Sequence, residues 1–181
     1  VDGKAQGGIE AQGRSPEQGG QPTRLLAEWV AAGEQLPIGD SALAWARHAL
    51  LDWLAVSIAG ASEPLVRMLV AEYADAGDAA SPCVLIACGA GARPLEAALI
   101  NGAAGHALDF DDVSSRMVGH PTAPVAPAAL AQVQAIGASG LRLLRAIVVG
   151  HEVQARIGEH LGHSHYQHGF HTTGTLGSFG A

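Results

Sequence analysis

Large apolar residues within residues 41–60 recur at three- and four-residue steps, as Leu43, Ala46, Leu50, Trp53, Leu54 and Ile58. That period is the pitch of an α-helix, and a helix carrying such a stripe has to bury it against other elements. Asp40 or Ser41 is suited to cap its start. The pattern recurs near 141–161, where Leu144, Val148, His151 and Ala155 share a face and Glu152 can pair with Arg156 on the surface. Further helices are expected near 24–33, capped by Thr23, then over 64–73, near 94–110 and near 121–137. Pro64 and Pro94 suit a first helical turn. At most one short strand is expected, near 83–87. The predicted fold class is all-α, a multi-helix domain.

Residues 1–22 stand outside that pattern. They hold six glycines and almost no large apolar group, too little to offset the entropy of ordering, and read as a disordered tail or a cloning remnant. The organised domain is expected over 23–181. No basic start followed by an apolar core marks a secretory signal, and no apolar run reaches the roughly 20 residues of a membrane helix. A soluble, cytoplasmic protein with no membrane partner is the expectation. Net charge is −7, with ten Lys plus Arg and no basic stripe, which argues against a nucleic-acid surface. Cys83 and Cys88 would point to opposite faces of a strand, so neither a disulfide nor a metal pair is expected of them.

The densest acid–base chemistry lies in NGAAGHALDFDDVSSRMVGHPTAP, residues 101–124. On a helix over 97–110, His106 and Asp109 share a face three residues apart, with Asp112 the next group along it. His120 precedes Pro121, which steers it away from helix and onto a loop or helix entrance. A solvated helix end is the bland reading of these acids. However, Asp109 and Phe110 directly follow an apolar face, so at least one carboxylate is expected to point inward. There it needs a cationic or hydrogen-bonding partner, which a histidine can supply.

A second stretch, GHSHYQHGFHTT at 162–173, holds His163, His165, His168 and His171. Their steps of two, three and three miss the spacing of four that a helical zinc pair uses, and no cysteine lies nearby, so no metal is assigned. His151, on its apolar stripe, reads as a packed core residue and is left out of the site, and Met68 and Met117 read as packing.

NGAAGHALDFDD, GHPTAPVAPAALA, GHEVQARIG at 150–158 and GFHTTGTLGSFGA at 169–181 together resemble, in order and spacing, the MmgE/PrpD family. That family includes 2-methylcitrate dehydratases, cis-aconitate decarboxylases and an iminodisuccinate epimerase. The resemblance runs from about Arg24 to the last residue. It implies the family's helical amino-terminal domain, without the smaller α+β domain and truncated at its carboxyl end. It also marks Asp109, His120 and His171 as catalytic, matching the first aspartate of DFDD and the histidines of the HP and GFH motifs. Asn101, His106, Asp112 and Thr122 are the implied substrate-binding neighbours, and Asp111 matches with a less defined role. On this reading His120 is the principal proton carrier, Asp109 orients it and holds its charge, and His171 binds a substrate carboxylate or a developing oxyanion.

The reaction so implied is that of a lyase acting on a small di- or tricarboxylic acid, foremost dehydration of a 2-methylcitrate-like hydroxy acid. Decarboxylation, epimerisation and a non-catalytic module are the alternatives. A homodimer is implied and no cofactor. In relatives a lysine from later in the chain completes the site, whereas the one lysine here is Lys4, in the tail. The 181 residues alone are therefore expected to be inactive.

Overall fold

The computed structural model describes residues 21–74 and 81–181. Residues 1–20 of the expected tail lie outside the described residues, and 21 and 22 already belong to a helix, α1 (Gln21–Ala31). With the 3-10 turn Gly33–Gln35, α1 forms a unit of its own that ends at Leu36. Arg24 and Glu28 pair across one turn of α1 at 2.7 Å.

The second unit, 37–181, carries the fold. Its elements are α2 (Asp40–Gly60), α3 (Pro64–Tyr73), β1 (Cys83–Val84), β2 (Gly91–Ala92), α4 (Pro94–His106), α5 (Thr122–Ala135), α6 (Gly140–Leu161), α7 (Ser164–Gln167) and α8 (Thr172–Gly180). Among the described residues the domain is all-α apart from the β1–β2 ribbon, as the apolar periods require. α4 packs against α2, α3 and α5, while α6 packs against α2, α5 and α8. One apolar cluster joins Val66, Leu85, Ala97, Ile100 and Ala131, and a second joins Leu43, Ala46, Val125, Leu144 and Ile147. Small residues set the α2–α4 separation: a Cβ on Gly105 would fall 2.3 Å from Trp53 Nε1, and one on Gly60 would fall 2.2 Å from the Ala104 carbonyl oxygen.

Pro64 and Pro94 open their helices as expected, and Arg156 meets Glu152 at 2.6 Å on α6. Other details differ. The N-cap of α2 is Gly39, so Asp40 lies in the first turn and acts on the helix dipole instead of capping it. Ile58 is exposed, because where α2 crosses α4 the buried positions are Ser57 and Gly60. Met117 is buried but Met68 is exposed. The sheet has two strands where at most one was expected, paired antiparallel with Cys83 opposite Ala92. The second strand is a Gly-Ala pair, too short and too small in side chain to show an alternating pattern. The Cys83 thiol is buried and donates to the Ala131 carbonyl at 3.2 Å. Burial pushes its pKa up, and Cys88 is exposed. Among the described residues no single helix is long and apolar enough to cross a membrane.

Candidate active site

The helix expected to reach residue 110 stops at His106. Asp109 takes φ 55, the left-handed region, and its N–H closes a turn on the His106 carbonyl at 3.2 Å. The chain then leaves the helix axis and runs as an irregular loop to Pro121 at the mouth of α5. Val118, a β-branched residue, also sits at φ 54, a conformation that persists only where its surroundings fix it. They do so from several sides. Ser114 and Gly119 bridge the loop to itself. The first turn of α8 reaches it twice: the Thr172 hydroxyl donates to the Val118 carbonyl, and the His120 N–H donates to Thr173 Oγ1 at 3.0 Å. Arg116 ties it to α6 through Glu159 at 2.6 Å and Glu152 at 3.2 Å, and the hydrogen bond to Glu159 raises the guanidinium pKa further. Thr172 and Thr173 were not singled out from the sequence, where only their place beside His171 marked them.

This loop brings four acid–base side chains together. Asp111, whose carboxylate is fully buried, faces His106 Nδ1 at 3.0 Å and His120 Nδ1 at 3.3 Å. A carboxylate accepts, so these ring nitrogens donate. The Asp111 carbonyl, also 3.3 Å from His120 Nδ1, reinforces the choice. His120 Nδ1 therefore carries a proton, and Nε2 is the ring nitrogen left to exchange one, pairing with a carboxylate only while it is itself protonated. Asp109 Oδ1 lies 3.3 Å from that Nε2, with its side chain 80% exposed. The inward carboxylate that the sequence required is thus Asp111, and Asp109 approaches His120 from the solvent side. The His106 and His120 rings meet edge to face at 4.7 Å, and His106 lies 6.3 Å from His171.

Below the loop a second polar chain forms. The Thr122 hydroxyl has one proton and gives it to Asp112 Oδ2 at 2.6 Å, so it accepts from His151 Nε2 at 3.1 Å. Asp112 Oδ1 also takes the Thr122 N–H at 3.3 Å, one of the unpaired donors at the start of α5. Asp112 and Thr122 therefore join the loop to α5. His151, read from the sequence as core packing, is the third member of this network. Burial lowers its pKa, and the Asp112 charge opposes that shift. Because the unfolded chain then binds the proton more readily than the fold does, stability should fall as pH drops below the ordinary histidine value of about 6.5. It should level off once the folded histidine also titrates. Urea midpoints measured across that window should show a smaller acid loss for His151→Gln than for the parent, and an equal loss would refute the assignment.

His120 and His171 line one cleft of about 360 Å³ together with Ser114, Ser115, His163 and Tyr166. His171 stands at the N-cap of α8. Asn101 is placed elsewhere. Its amide accepts from the Ile86 N–H and donates to the Val84 carbonyl, both at 2.9 Å, and it is almost fully buried. It fastens the β1 segment to α4, which departs from the substrate-neighbour role expected of it. An amide with its donor and acceptor both committed to backbone satisfies buried peptide groups that would otherwise be orphaned.

The fold is a helical domain in which an irregular loop gathers two histidines and two aspartates beside a small cleft. Residues 24–181 match the MmgE/PrpD N-terminal domain, and the chain belongs to that family. Over 167 residues it is 31% identical to the cis-aconitate decarboxylase-like protein oryM of Aspergillus oryzae, an overlap of 88% of this chain and 34% of the relative. The chain thus spans about a third of that curated relative's length.

Proposed function

We propose that this domain supplies the proton-transfer residues of a lyase that acts on a small di- or tricarboxylic acid. The observation that carries the reading is His120, held by Asp111 in one tautomer with its Nε2 beside Asp109, in a cleft it shares with His171. In dehydration, Nε2 takes the proton from the carbon next to a carboxylate. The freed electron pair forms the double bond, and the hydroxyl leaves as water after accepting a proton from an acid such as His171. Asp109 stabilises the imidazolium that forms, while His171 donates to a substrate carboxylate or to developing charge.

A 2-methylcitrate-like hydroxy acid fits this scheme. The name of the oryM relative favours a second reading, decarboxylation, in which carbon dioxide departs and the electron pair left on carbon takes a proton from Nε2–H of His120. Among the described residues, neither Lys nor Arg lines the cleft. The reading assigns the activity to the whole protein and takes that protein to be a cytoplasmic homodimer. Full-length protein assayed with 2-methylcitrate and with cis-aconitate should convert one of them, read as double-bond formation or carbon dioxide release. Inertness toward both and toward related hydroxy acids would refute the proposal.

A further inference from the structure

We infer that His106, Asp109, Asp111 and His120 form a binding site for one divalent ion of the zinc class, and that the bound ion blocks proton transfer at His120. Each residue offers one ligand atom, and these atoms lie within 4.8 Å of one another. Zinc holds nitrogen and oxygen at about 2.0–2.2 Å, so the ligand atoms of a tetrahedral shell stand about 3.4 Å apart. His106 Nδ1 and His120 Nδ1 lie 3.0 Å and 3.3 Å from the Asp111 carboxylate, while Asp109 lies 3.3 Å from the other ring nitrogen of His120, Nε2, so an ion takes one of the two nitrogens and the carboxylate on the far side has to turn toward it. Closing the shell requires the widest of these separations, up to 4.8 Å, to shorten by side-chain rotation.

Charge points the same way. Among the described residues the two carboxylates, one of them fully buried, form ion pairs with histidines, so with neutral imidazoles the cluster carries two negative charges that a divalent cation would cancel. Two imidazoles with two carboxylates suit zinc or cobalt, whereas magnesium and calcium take oxygen shells. Four protein ligands also fill a tetrahedron. No position remains for water or substrate, which is the pattern of a closed site and not of a catalytic one. On Nε2 the ion occupies the lone pair that would otherwise take the proton, and on Nδ1 it drives the ring proton onto Nε2, so at either nitrogen it acts as a brake. This set is distinct from the histidine run at 163–171. Its binding is read without turnover, so its test stands or falls separately from the lyase proposal.

Metal-stripped protein titrated with Co(II) should bind one equivalent and show the intense visible bands of tetrahedral cobalt, which Zn(II) then removes. Asp109→Asn, at an exposed side chain, and His106→Gln should each weaken zinc binding by at least the order of 10- to 100-fold that losing even an outer-shell partner costs. His163→Gln combined with His168→Gln should leave it unchanged, with circular dichroism confirming the fold of every variant. The inference is overturned if the parent chain binds no stoichiometric metal, if Asp109→Asn and His106→Gln bind zinc as the parent does, or if the His163/His168 pair abolishes binding.

Discussion

His120→Ala in the full-length protein is expected to lower kcat by about 100- to 10,000-fold, the usual contribution of a positioned proton carrier. Its KM and its urea midpoint should change little by comparison. The separation follows from where the side chain's contacts lie. Its Nδ1 meets Asp111 and its Nε2 meets Asp109, and neither interaction is part of an apolar cluster. The backbone N–H that holds the loop to Thr173 survives the substitution. A group that acts in the transition state and little in ground-state binding should lower kcat and kcat/KM together. Asp111→Asn provides the complementary measurement, since an amide can donate to the histidine and so compete for its tautomer. Its pH–rate profile should shift even where the loop keeps its shape. A His120→Ala enzyme with normal turnover would defeat the assignment, and so would one whose activity loss merely tracks its unfolding.

The helical scaffold was legible because burial imposes a period on the sequence. Prolines 64 and 94 and the stripe through Leu43, Ala46 and Trp53 each report a local rule that packing then obeys. The site was legible as a neighbourhood and not as a geometry. Asp109, Asp111 and Asp112 are alike in composition, yet Asp109 sits at positive φ with its side chain exposed while the Asp111 carboxylate is buried. Asn101 and His151 are mirror cases. A polar residue beside a motif was read toward the cleft and is committed to backbone, while a histidine on an apolar stripe was read as packing and hydrogen-bonds Thr122. Neither pairing has a sequence period, because each partner is brought in from another element by the tertiary fold.

The scaffold and the site meet at Gly158 of α6. An added Cβ would lie 2.5 Å from the Met117 Cα and 2.8 Å from the Arg116 carbonyl oxygen. Those are main-chain atoms of the loop that carries His120, and they cannot swing aside as a flexible side chain would. Two effects oppose each other in Gly158→Ala. Replacing glycine inside a helix favours the fold by up to about 1 kcal/mol. Overpacking against fixed backbone costs roughly 1–3 kcal/mol, and more when the neighbour cannot relax. The steric term should prevail, giving a net loss of stability together with reduced activity as the loop is pushed off α6. Gly174 in α8 is the control: nothing lies within 4 Å of its added Cβ, so Gly174→Ala should keep only the favourable term and raise stability. Urea denaturation at constant m-value should therefore move the two midpoints in opposite directions. If Gly158→Ala were as stable as Gly174→Ala, α6 would not hold the loop that carries His120 by close backbone contact at this glycine.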